Sequence, residues 1–286
     1  MTRRLFIFGL GYSGLEIARL ARTEGWSVAG TCTTADKAAR LAHEGIDAHV
    51  FDGTAALPDG ALGESSHVLC TVSPGSAGDP ALRTMAGPIG RVAWLGYLST
   101  TGVYGDHGGG WVDETTPLRS TQPRSLERMA AERGWRDLAA AGGAALHILR
   151  LPGIYGPRRS AIDQVKAGAA RRIDKPGQFF SRIHVEDIAR ATLKAAERAK
   201  GIEVWNVADD LPAPNADVVA YACELLGLAV PPAIPWEEAA PAMTPMARSF
   251  YTESRRVRNE KMKRELGVAL KYPTYREGLA AILRAR

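Results

Sequence analysis

The chain has 286 residues, of which 45% are hydrophobic and 23% charged, and its formal net charge is +5. This composition is typical of a globular protein, and the length suits one large α/β unit or two joined lobes. Because no apolar run approaches the ~20 residues that span a bilayer and no signal peptide is recognisable, we expect a cytoplasmic protein without membrane contact. The cysteines are far apart and the histidines lack metal-ligand spacing, so neither a disulfide framework nor a metal site is expected.

Strand-like apolar runs alternate with helical patterns through the first half of the chain. The predicted strands cover residues 4–8, 26–31, 47–51, 67–72, 91–98 and 144–149, and the predicted helices lie near 13–24, 35–43 and 123–141. This alternation predicts a Rossmann-type α/β fold, in which helices cover both faces of a doubly wound parallel sheet. The segment 79–89 is short for a crossover helix and fits the pattern least well.

A glycine-rich turn links the first predicted strand to the first predicted helix. Residues 9–14 read Gly-Leu-Gly-Tyr-Ser-Gly, which has the spacing G-x-G-x-x-G. In that motif the first glycine allows a tight turn, the second lets the backbone approach a pyrophosphate, and the third lets helix and strand pack closely. The helix N-terminus favours the anion. The order strand, turn, helix therefore predicts a dinucleotide site, with these binding residues: Gly9, Gly11, Tyr12, Ser13 and Gly14.

The end of the second predicted strand lacks the acidic residue that usually binds the ribose 2′-hydroxyl of NAD. Hydroxyl and basic side chains follow that strand instead: Thr33, Thr34, Lys37 and Arg40. These groups suit a 2′-phosphate, so we expect NADP as the cofactor, with NAD as the alternative if Asp36 binds the ribose. After the third strand, Asp52 stands where a carboxylate can reach the adenine.

The second half of the chain differs in character. Seven of the 17 prolines lie in 211–245, which favours irregular backbone, and helical patterns lie near 215–227, 258–266 and 274–284. We expect residues 1–155 to form the dinucleotide-binding domain and 156–286 to form mainly a smaller C-terminal substrate lobe. Residues from about 183 to 208, including a strand at 204–207, are expected to return to the first domain.

A basic cluster accounts for the excess positive charge. Residues 246–264 hold seven Lys and Arg against two Glu. Two interpretations stay open, a solvated helix face or a site for a phosphorylated substrate. Nucleic-acid binding is not expected, because the cluster lacks aromatic residues at stacking spacing.

Four further motifs follow the glycine turn along the chain. They are Leu-Ser-Thr-Thr-Gly-Val-Tyr-Gly at 98–105, Arg-Leu-Pro-Gly-Ile-Tyr-Gly-Pro at 150–157, Arg-Ile-His-Val-Glu-Asp-Ile-Ala at 182–189, and the segment 256–279. With the turn, this set resembles the extended short-chain dehydrogenase/reductases, specifically the NAD-dependent epimerase/dehydratase family. The resemblance implies hydride transfer with NAD or NADP and a C-terminal lobe for a nucleotide-sugar-like substrate. The turn itself departs from the family's commoner G-x-x-G-x-x-G.

In that family a Ser or Thr hydroxyl and a Tyr-x-x-x-Lys pair carry the chemistry. The resemblance assigns the hydroxyl to Thr100, four residues before Tyr104. The family's sugar dehydratases follow this position with Asp-Glu, whereas this chain has Thr101 and Gly102. Dehydration by that route is therefore not expected.

The Tyr-x-x-x-Lys pair is replaced in this chain. Glu132 sets the register of the family's Y-x-x-x-K-x-x-x-E helix, which puts Arg128 at the lysine position and Arg124 at the tyrosine position. Arginine stays protonated near neutral pH, so Arg124 cannot be a general base. It can clamp an anion or polarise a carbonyl, and Arg128 can bind the nicotinamide ribose. The candidate catalytic residues are therefore Thr100, Arg124 and Arg128.

Two functions fit these motifs. One is an oxidoreductase that acts on a small polyol or nucleotide-sugar-like molecule, which Thr100 favours. The other is a non-catalytic NADP(H)-binding sensor or scaffold, which the two arginines favour. Tyr104, Tyr155 and His184 are expected to be structural, and Asp187 to cap a helix over 187–199. The expected partner is a small-molecule substrate, phosphorylated or not, and the sequence leaves open whether the chain forms a homodimer.

Overall fold

The computed structural model describes residues 3–285. Its strands are β1 (Arg4–Phe8), β2 (Ser27–Cys32), β3 (Asp47–Val50), β4 (His67–Cys70), β5 (Trp94–Thr100), β6 (Trp111–Val112), β7 (Ala145–Leu151), β8 (Gly153–Tyr155), β9 (Ile173–Asp174), β10 (Arg182–His184), β11 (Ile202–Asn206), β12 (Ile234–Pro235) and β13 (Arg256–Val257). Its helices are α1 (Tyr12–Thr23), α2 (Ala35–His43), α3 (Pro80–Ile89), α4 (Pro123–Gly142), α5 (Ala161–Lys166), α6 (Val185–Arg198), α7 (Asn215–Leu225), α8 (Trp236–Ala239), α9 (Pro245–Ser249), α10 (Glu260–Leu266) and α11 (Tyr275–Arg284). Two 3₁₀ segments lie at Thr101–Tyr104 and Ala240–Ala242.

A seven-stranded sheet forms the centre of the molecule. Its strand order is β11-β7-β5-β4-β1-β2-β3, and every neighbouring pair is parallel. The predicted Rossmann-type doubly wound fold is thereby confirmed. The chain order reverses between β1 and β4, and sheets of this kind bind ligands beyond the carboxyl ends of the strands at that switch point.

The first strand shows how the sequence supports two covering layers. Leu5 and Ile7 pack in the cluster that includes residues of α1 and α6, whereas Phe6 and Phe8 pack in the cluster that includes residues of α3 and α4. The split follows from the alternation of side chains along a strand. All four are fully buried, and each contributes about 1.5–3 kcal/mol to folding.

Helix α3 fills the connection that fitted the pattern least well. It begins directly after Asp79, whose Oδ1 accepts hydrogen bonds from the amides of Ala81 (2.9 Å) and Leu82 (3.1 Å). A proline at its first position suits a helix start, because that position needs no amide donor. Ten residues therefore suffice for this crossover.

The expected cap of the helix after β10 is wrong. Helix α6 begins at Val185, and the Nδ1 atom of His184 accepts the amide of Glu186 at 3.3 Å. The carboxylate of Asp187 instead accepts the amides of Lys271 (2.7 Å) and Tyr272 (3.0 Å). Asp187 therefore fastens the segment before α11 and does not cap α6.

The second half adds small sheets and helices and also extends the main sheet. Strands β8 and β10, β9 and β12, and β6 and β13 form three parallel pairs. A separate apolar cluster joins Tyr155 and Ile162 to residues of α7 and α11. Strand β11 pairs with β7 over Ile202–Asn206, slightly earlier than the strand expected at 204–207.

Candidate functional site

The turn after β1 is held tightly against the end of β4. Gly9 has φ +92°, a conformation that side chains disfavour, and a Cβ there would lie 2.7 Å from the Thr71 Oγ1. The Thr71 hydroxyl donates to the Gly9 carbonyl at 2.6 Å, and the Gly9 amide donates to the Thr31 Oγ1 at 2.9 Å. Only glycine fits this position.

The other two glycines differ in what surrounds them. A Cβ on Gly14 would lie 2.1 Å from the Gly9 carbonyl oxygen, so Gly14 permits the close packing of α1 on the turn. A Cβ on Gly11 would meet no described atom within 4 Å. Among the described residues no side chain caps α1, so its first amides face a space that an anion can enter. This arrangement fits a dinucleotide pyrophosphate.

The first turn of α1 reaches the loop after β8. The Tyr12 hydroxyl donates to the Pro157 carbonyl at 3.1 Å, and the Arg159 guanidinium lies 5.6 Å from the centre of the Tyr12 ring. Burial raises the pKa of Tyr12 to about 12. Ser13 lies beside it, half-buried. Tyr12 therefore joins the glycine turn to a loop of the second half.

Hydroxyl and basic groups lie at the carboxyl end of β2. Thr33 is exposed, and the Thr34 Oγ1 accepts the amide of Lys37 at 3.3 Å, which caps α2. The Lys37 side chain is half-buried and that of Arg40 is exposed. The Thr34 oxygen is thus already used as an acceptor, while its hydroxyl proton stays available.

The carboxylate after β3 is committed to its own loop. The Oδ1 of exposed Asp52 accepts the amide (2.8 Å) and the hydroxyl (2.7 Å) of Thr54. These bonds, the backbone one first, lower the pKa of Asp52. Because β2 and β3 are parallel neighbours, Asp52 lies at the same edge of the sheet as the threonines.

A buried ion pair fixes the register of α4 against the sheet. Arg150 donates to the two Glu132 oxygens, from Nε at 3.0 Å and Nη2 at 2.7 Å, and the Ser99 hydroxyl donates to the same carboxylate at 2.6 Å. Both charged side chains are almost fully buried. Residues spaced by four share a helix face. Arg128, four residues before Glu132, therefore lies with it on the side of α4 that faces β5.

Arg128 lies beside the carboxyl ends of β4 and β5. Its guanidinium donates to the Leu98 carbonyl at 2.5 Å and to the Ser73 hydroxyl at 2.8 Å. It also lies 5.7 Å from the centre of the Tyr97 ring. Ser73, which the sequence analysis did not identify, helps to position this arginine.

Thr100 ends β5, two residues beyond the carbonyl that Arg128 contacts. Its Oγ1 accepts the amide of Gly102 at 3.0 Å, so its hydroxyl proton is free to donate. A second hydroxyl lies nearby, because the Cβ position of Gly102 is 3.2 Å from the Thr100 Oγ1 and 3.0 Å from the Ser125 Oγ. Ser125 is buried and was also missed, since a serine beside an arginine carries no sequence signal.

Arg124 does not share the environment of Arg128. Its side chain is exposed, and no described residue hydrogen-bonds or ion-pairs with it. Its position in the first turn of α4 is set by the preceding proline, a residue that favours this place. A guanidinium without a partner at this edge is available to a ligand.

The two motif tyrosines are internal. Tyr104 is fully buried, donates to the Asn206 Oδ1 at 2.8 Å and accepts from Arg150 at 3.0 Å. Burial raises its pKa to about 12. The Tyr155 hydroxyl donates to the Thr274 carbonyl at 3.3 Å, and burial raises its pKa as well. Neither tyrosine is placed to replace the missing acid/base group.

The basic cluster of residues 246–264 is used within the chain. Each of its cations contacts an oxygen of this same protein: Arg248 contacts Ala240, Arg255 contacts Gly105 and Glu253, Arg256 contacts Gly109, Arg258 contacts Glu260, Lys261 contacts Glu203, Lys263 contacts Asp210, and Arg264 contacts Glu265. Each of these cations is thus already paired within the chain, which favours the interpretation as a solvated helix face.

Comparisons with known proteins agree with this geometry. The sequence pattern of the NAD dependent epimerase/dehydratase family matches residues 90–208. Protein YeeZ of Escherichia coli K12 is 27% identical over 264 residues, which cover 80% of this chain and 86% of that protein. The structure of a functionally unknown conserved protein from Silicibacter pomeroyi is 44% identical, covers 99% of both chains and has a TM-score of 0.89. dTDP-glucose 4,6-dehydratase from Bacillus anthracis, solved with NAD, shares the fold at 17% identity, with 99% of this chain and 96% of that chain covered and a TM-score of 0.76.

The glycine turn, the parallel sheet and the contact of α4 with β5 define a Rossmann-type α/β fold. Within it, residues 90–208 carry the sequence pattern of the NAD-dependent epimerase/dehydratase family. Within residues 3–285 there is no helix long and apolar enough to cross a membrane and no group of three or more His, Cys, Asp or Glu that could hold a metal ion.

Proposed function

We propose that this protein is an NAD(P)-dependent oxidoreductase that transfers a hydride to or from a small polyol or nucleotide-sugar-like substrate. The observation that carries the proposal is the position of Arg128. Its guanidinium contacts the Leu98 carbonyl, two residues before Thr100 on β5. This is the edge of the sheet at which the glycine turn lies. An orienting hydroxyl and a ribose-binding cation thus lie at the edge where a dinucleotide would extend.

Several residues would hold the dinucleotide. The turn of Gly9, Gly11 and Gly14 with the first amides of α1 would bind the pyrophosphate, because the Gly11 Cβ position opens into free space. Arg128 would bind the nicotinamide ribose. When bound, the nicotinamide supplies the hydride donor or acceptor.

The chain's own residues would orient and polarise the substrate. The Thr100 hydroxyl donates a hydrogen bond to the reacting oxygen, and Arg124 stabilises the negative charge that develops on that oxygen. Arg124 keeps its proton near neutral pH, so it does not supply the proton that accompanies the hydride. The sequence from 105 to 154 contains no tyrosine that could supply it.

The groups after β2 favour NADP over NAD. Thr33, Lys37 and Arg40 offer a hydroxyl and two cations where an NAD-specific site has a carboxylate. Calorimetric titration with NADPH and NADH should give tighter binding of NADPH. Equal affinities, or tighter binding of NADH, would contradict this preference.

A carbonyl-substrate panel tests the enzymatic proposal, with NADPH oxidation as the readout. Once a substrate is found, Arg124→Ala should lower kcat by about 100-fold or more, as removal of one oxyanion-stabilising donor does in other enzymes. NADPH affinity should change little. Arg190→Ala removes an exposed arginine of α6 and serves as a matched control. Turnover of Arg124→Ala at the wild-type rate would exclude this role.

The absence of turnover across the panel, with NADPH still bound, would favour the non-catalytic sensor. The specific observation behind that alternative is the replacement of the family's Tyr-x-x-x-Lys pair by Arg124 and Arg128.

A further inference from the structure

A cavity of about 410 Å³ lies beyond the carboxyl end of β7, outside the residues assigned above. Its lining includes Gly153, two residues after Leu151, which is the strand partner of Thr100. Three arginines line it, Arg158, Arg159 and Arg182, against the single acidic residue Asp163. The cavity therefore begins two residues beyond the strand partner of Thr100, and its lining carries an excess of positive charge.

Arg182 is held rigidly in the wall of this cavity. Its Nη1 donates to the carbonyls of Phe180 (2.8 Å) and Ala213 (3.0 Å). Its guanidinium lies 5.8 Å from the centre of the Phe180 ring and 6.0 Å from that of Tyr275. The remaining guanidinium nitrogens have no hydrogen-bond partner among the described residues. A fixed guanidinium with free donors is prepared to bind an anion in two-point fashion.

Arg182 makes no close ion pair. Asp209 is the acidic group with the largest electrostatic effect on it, yet no ion pair within 4.0 Å involves Arg182 among the described residues. The Oδ2 of Asp209 is buried without a hydrogen bond, and burial raises the pKa of Asp209. An anion in the cavity would give Arg182 the close counter-charge that it lacks.

The loop that carries the other two arginines is also constrained. Arg158 has φ +64°, a left-handed conformation that is costly for a residue other than glycine. The reciprocal backbone hydrogen bonds between Gly156 and Arg159, at 3.1 and 3.0 Å, hold this turn closed. The strained backbone thus places two adjacent arginines at the rim of the cavity.

We propose that this cavity binds an anionic group of the substrate, a carboxylate or a phosphate, with Arg182 as the anchor and Arg158 and Arg159 at the rim. The assignment of the anion to a substrate rests on the proposed function; the binding itself does not. The substrate is then an acid or a phosphate ester whose oxidisable carbon reaches back to Thr100.

Calorimetric titration with inorganic phosphate and with malonate tests the site, each at an ionic strength held constant with sodium chloride. One of the two anions should bind the wild-type protein. Arg182→Gln should weaken that binding at least tenfold, and the double change Arg158→Gln, Arg159→Gln should weaken it severalfold. The exposed Arg190→Gln on α6 removes the same charge outside the cavity and should leave affinity unchanged.

Because Arg182 is largely enclosed, near-UV circular dichroism must show that Arg182→Gln is folded; if it is not, the rim double variant decides. Failure of both anions to bind, or equal affinity of the rim variant and wild type, overturns the proposal.

NADPH titration shows whether the bound anion belongs to the substrate or to the cofactor. If the arginine variants lose NADPH affinity as strongly as anion affinity, the cavity serves the cofactor and the substrate assignment is wrong. Gly11→Val should do the reverse, losing NADPH while retaining the anion, so failure of the dinucleotide proposal is recognised separately.

Discussion

Replacing Glu132 by Gln should destabilise the protein strongly without altering its surface. The carboxylate accepts three hydrogen bonds, from Ser99 and from two nitrogens of Arg150. The two charged side chains are only 3% and 4% exposed. Glutamine keeps the shape but not the charge, so the Arg150 guanidinium would remain buried without compensation. Breaking a buried pair in this way costs about 3–5 kcal/mol.

Urea unfolding followed by tryptophan fluorescence measures this loss. The surface pair of Arg19 and Glu44 is a matched control, because its 2.9 Å distance is similar while its side chains are 48% and 42% exposed. Glu44→Gln should therefore change the free energy of unfolding by less than about 1 kcal/mol.

The single variant Arg150→Met and the double variant Glu132→Gln, Arg150→Met complete a double-mutant cycle. The double variant should be more stable than Glu132→Gln alone, because removal of both charges leaves no buried ion. A loss below about 1 kcal/mol in Glu132→Gln would refute the claim that this pair is desolvated and coupled. A double variant no more stable than the single one would refute it as well.

Three further predictions concern the glycine turn and the helix after β10. Gly11→Val should keep the wild-type Tm, because its Cβ meets open space, yet abolish NADPH binding in calorimetry; retained binding would mean that the turn holds no pyrophosphate. Gly14→Ala should lower Tm, because its Cβ would lie 2.1 Å from a carbonyl oxygen; an unchanged Tm would contradict the packing. Burial lowers the pKa of His184 from 6.5 to about 4, so protonation favours the unfolded chain and stability falls as pH drops below 6.5. The loss is about 2 kcal/mol between pH 7 and pH 5; urea midpoints of wild type and His184→Asn that fall in parallel would contradict it.

Much of the fold could be predicted because the buried strands are nearly continuous apolar runs between turn signals. Strand β1, for example, occupies the predicted residues 4–8. The order of the strands within the sheet could not be predicted, because periodicity along the sequence does not show which strands pair. The cap of α6 was misassigned because Asp and His both stand near its start, and the acceptor that binds the helix amide depends on geometry.

The site was less accessible to sequence reasoning. The positions of Arg128 and Glu132 followed from the four-residue spacing on α4, but their partners did not. Ser73, Ser125 and the arginine-lined cavity involve residues far apart in the chain, and no local pattern marks them. The sequence analysis named Arg182 only as the first residue of the motif at 182–189 and gave it no role.

The motifs that carry the resemblance have mostly internal roles. Ser99, Tyr104 and Arg150 form a buried network with Glu132, and Asp187 fastens the segment before α11. Residues of this kind maintain the fold and take no part in the family's chemistry. A chain can therefore retain these motifs while it lacks the catalytic tyrosine and lysine.

The contact between Tyr12 and Pro157 joins the two proposed binding sites. It connects the first residue of α1 to the loop of Arg158 and Arg159. We therefore expect a dinucleotide at the glycine turn and an anion at the arginine loop to change each other's affinity, and linkage requires the two changes to be equal. Tyr12→Phe, which removes the hydrogen bond and keeps the ring, should bring the phosphate affinities measured with and without NADPH closer together.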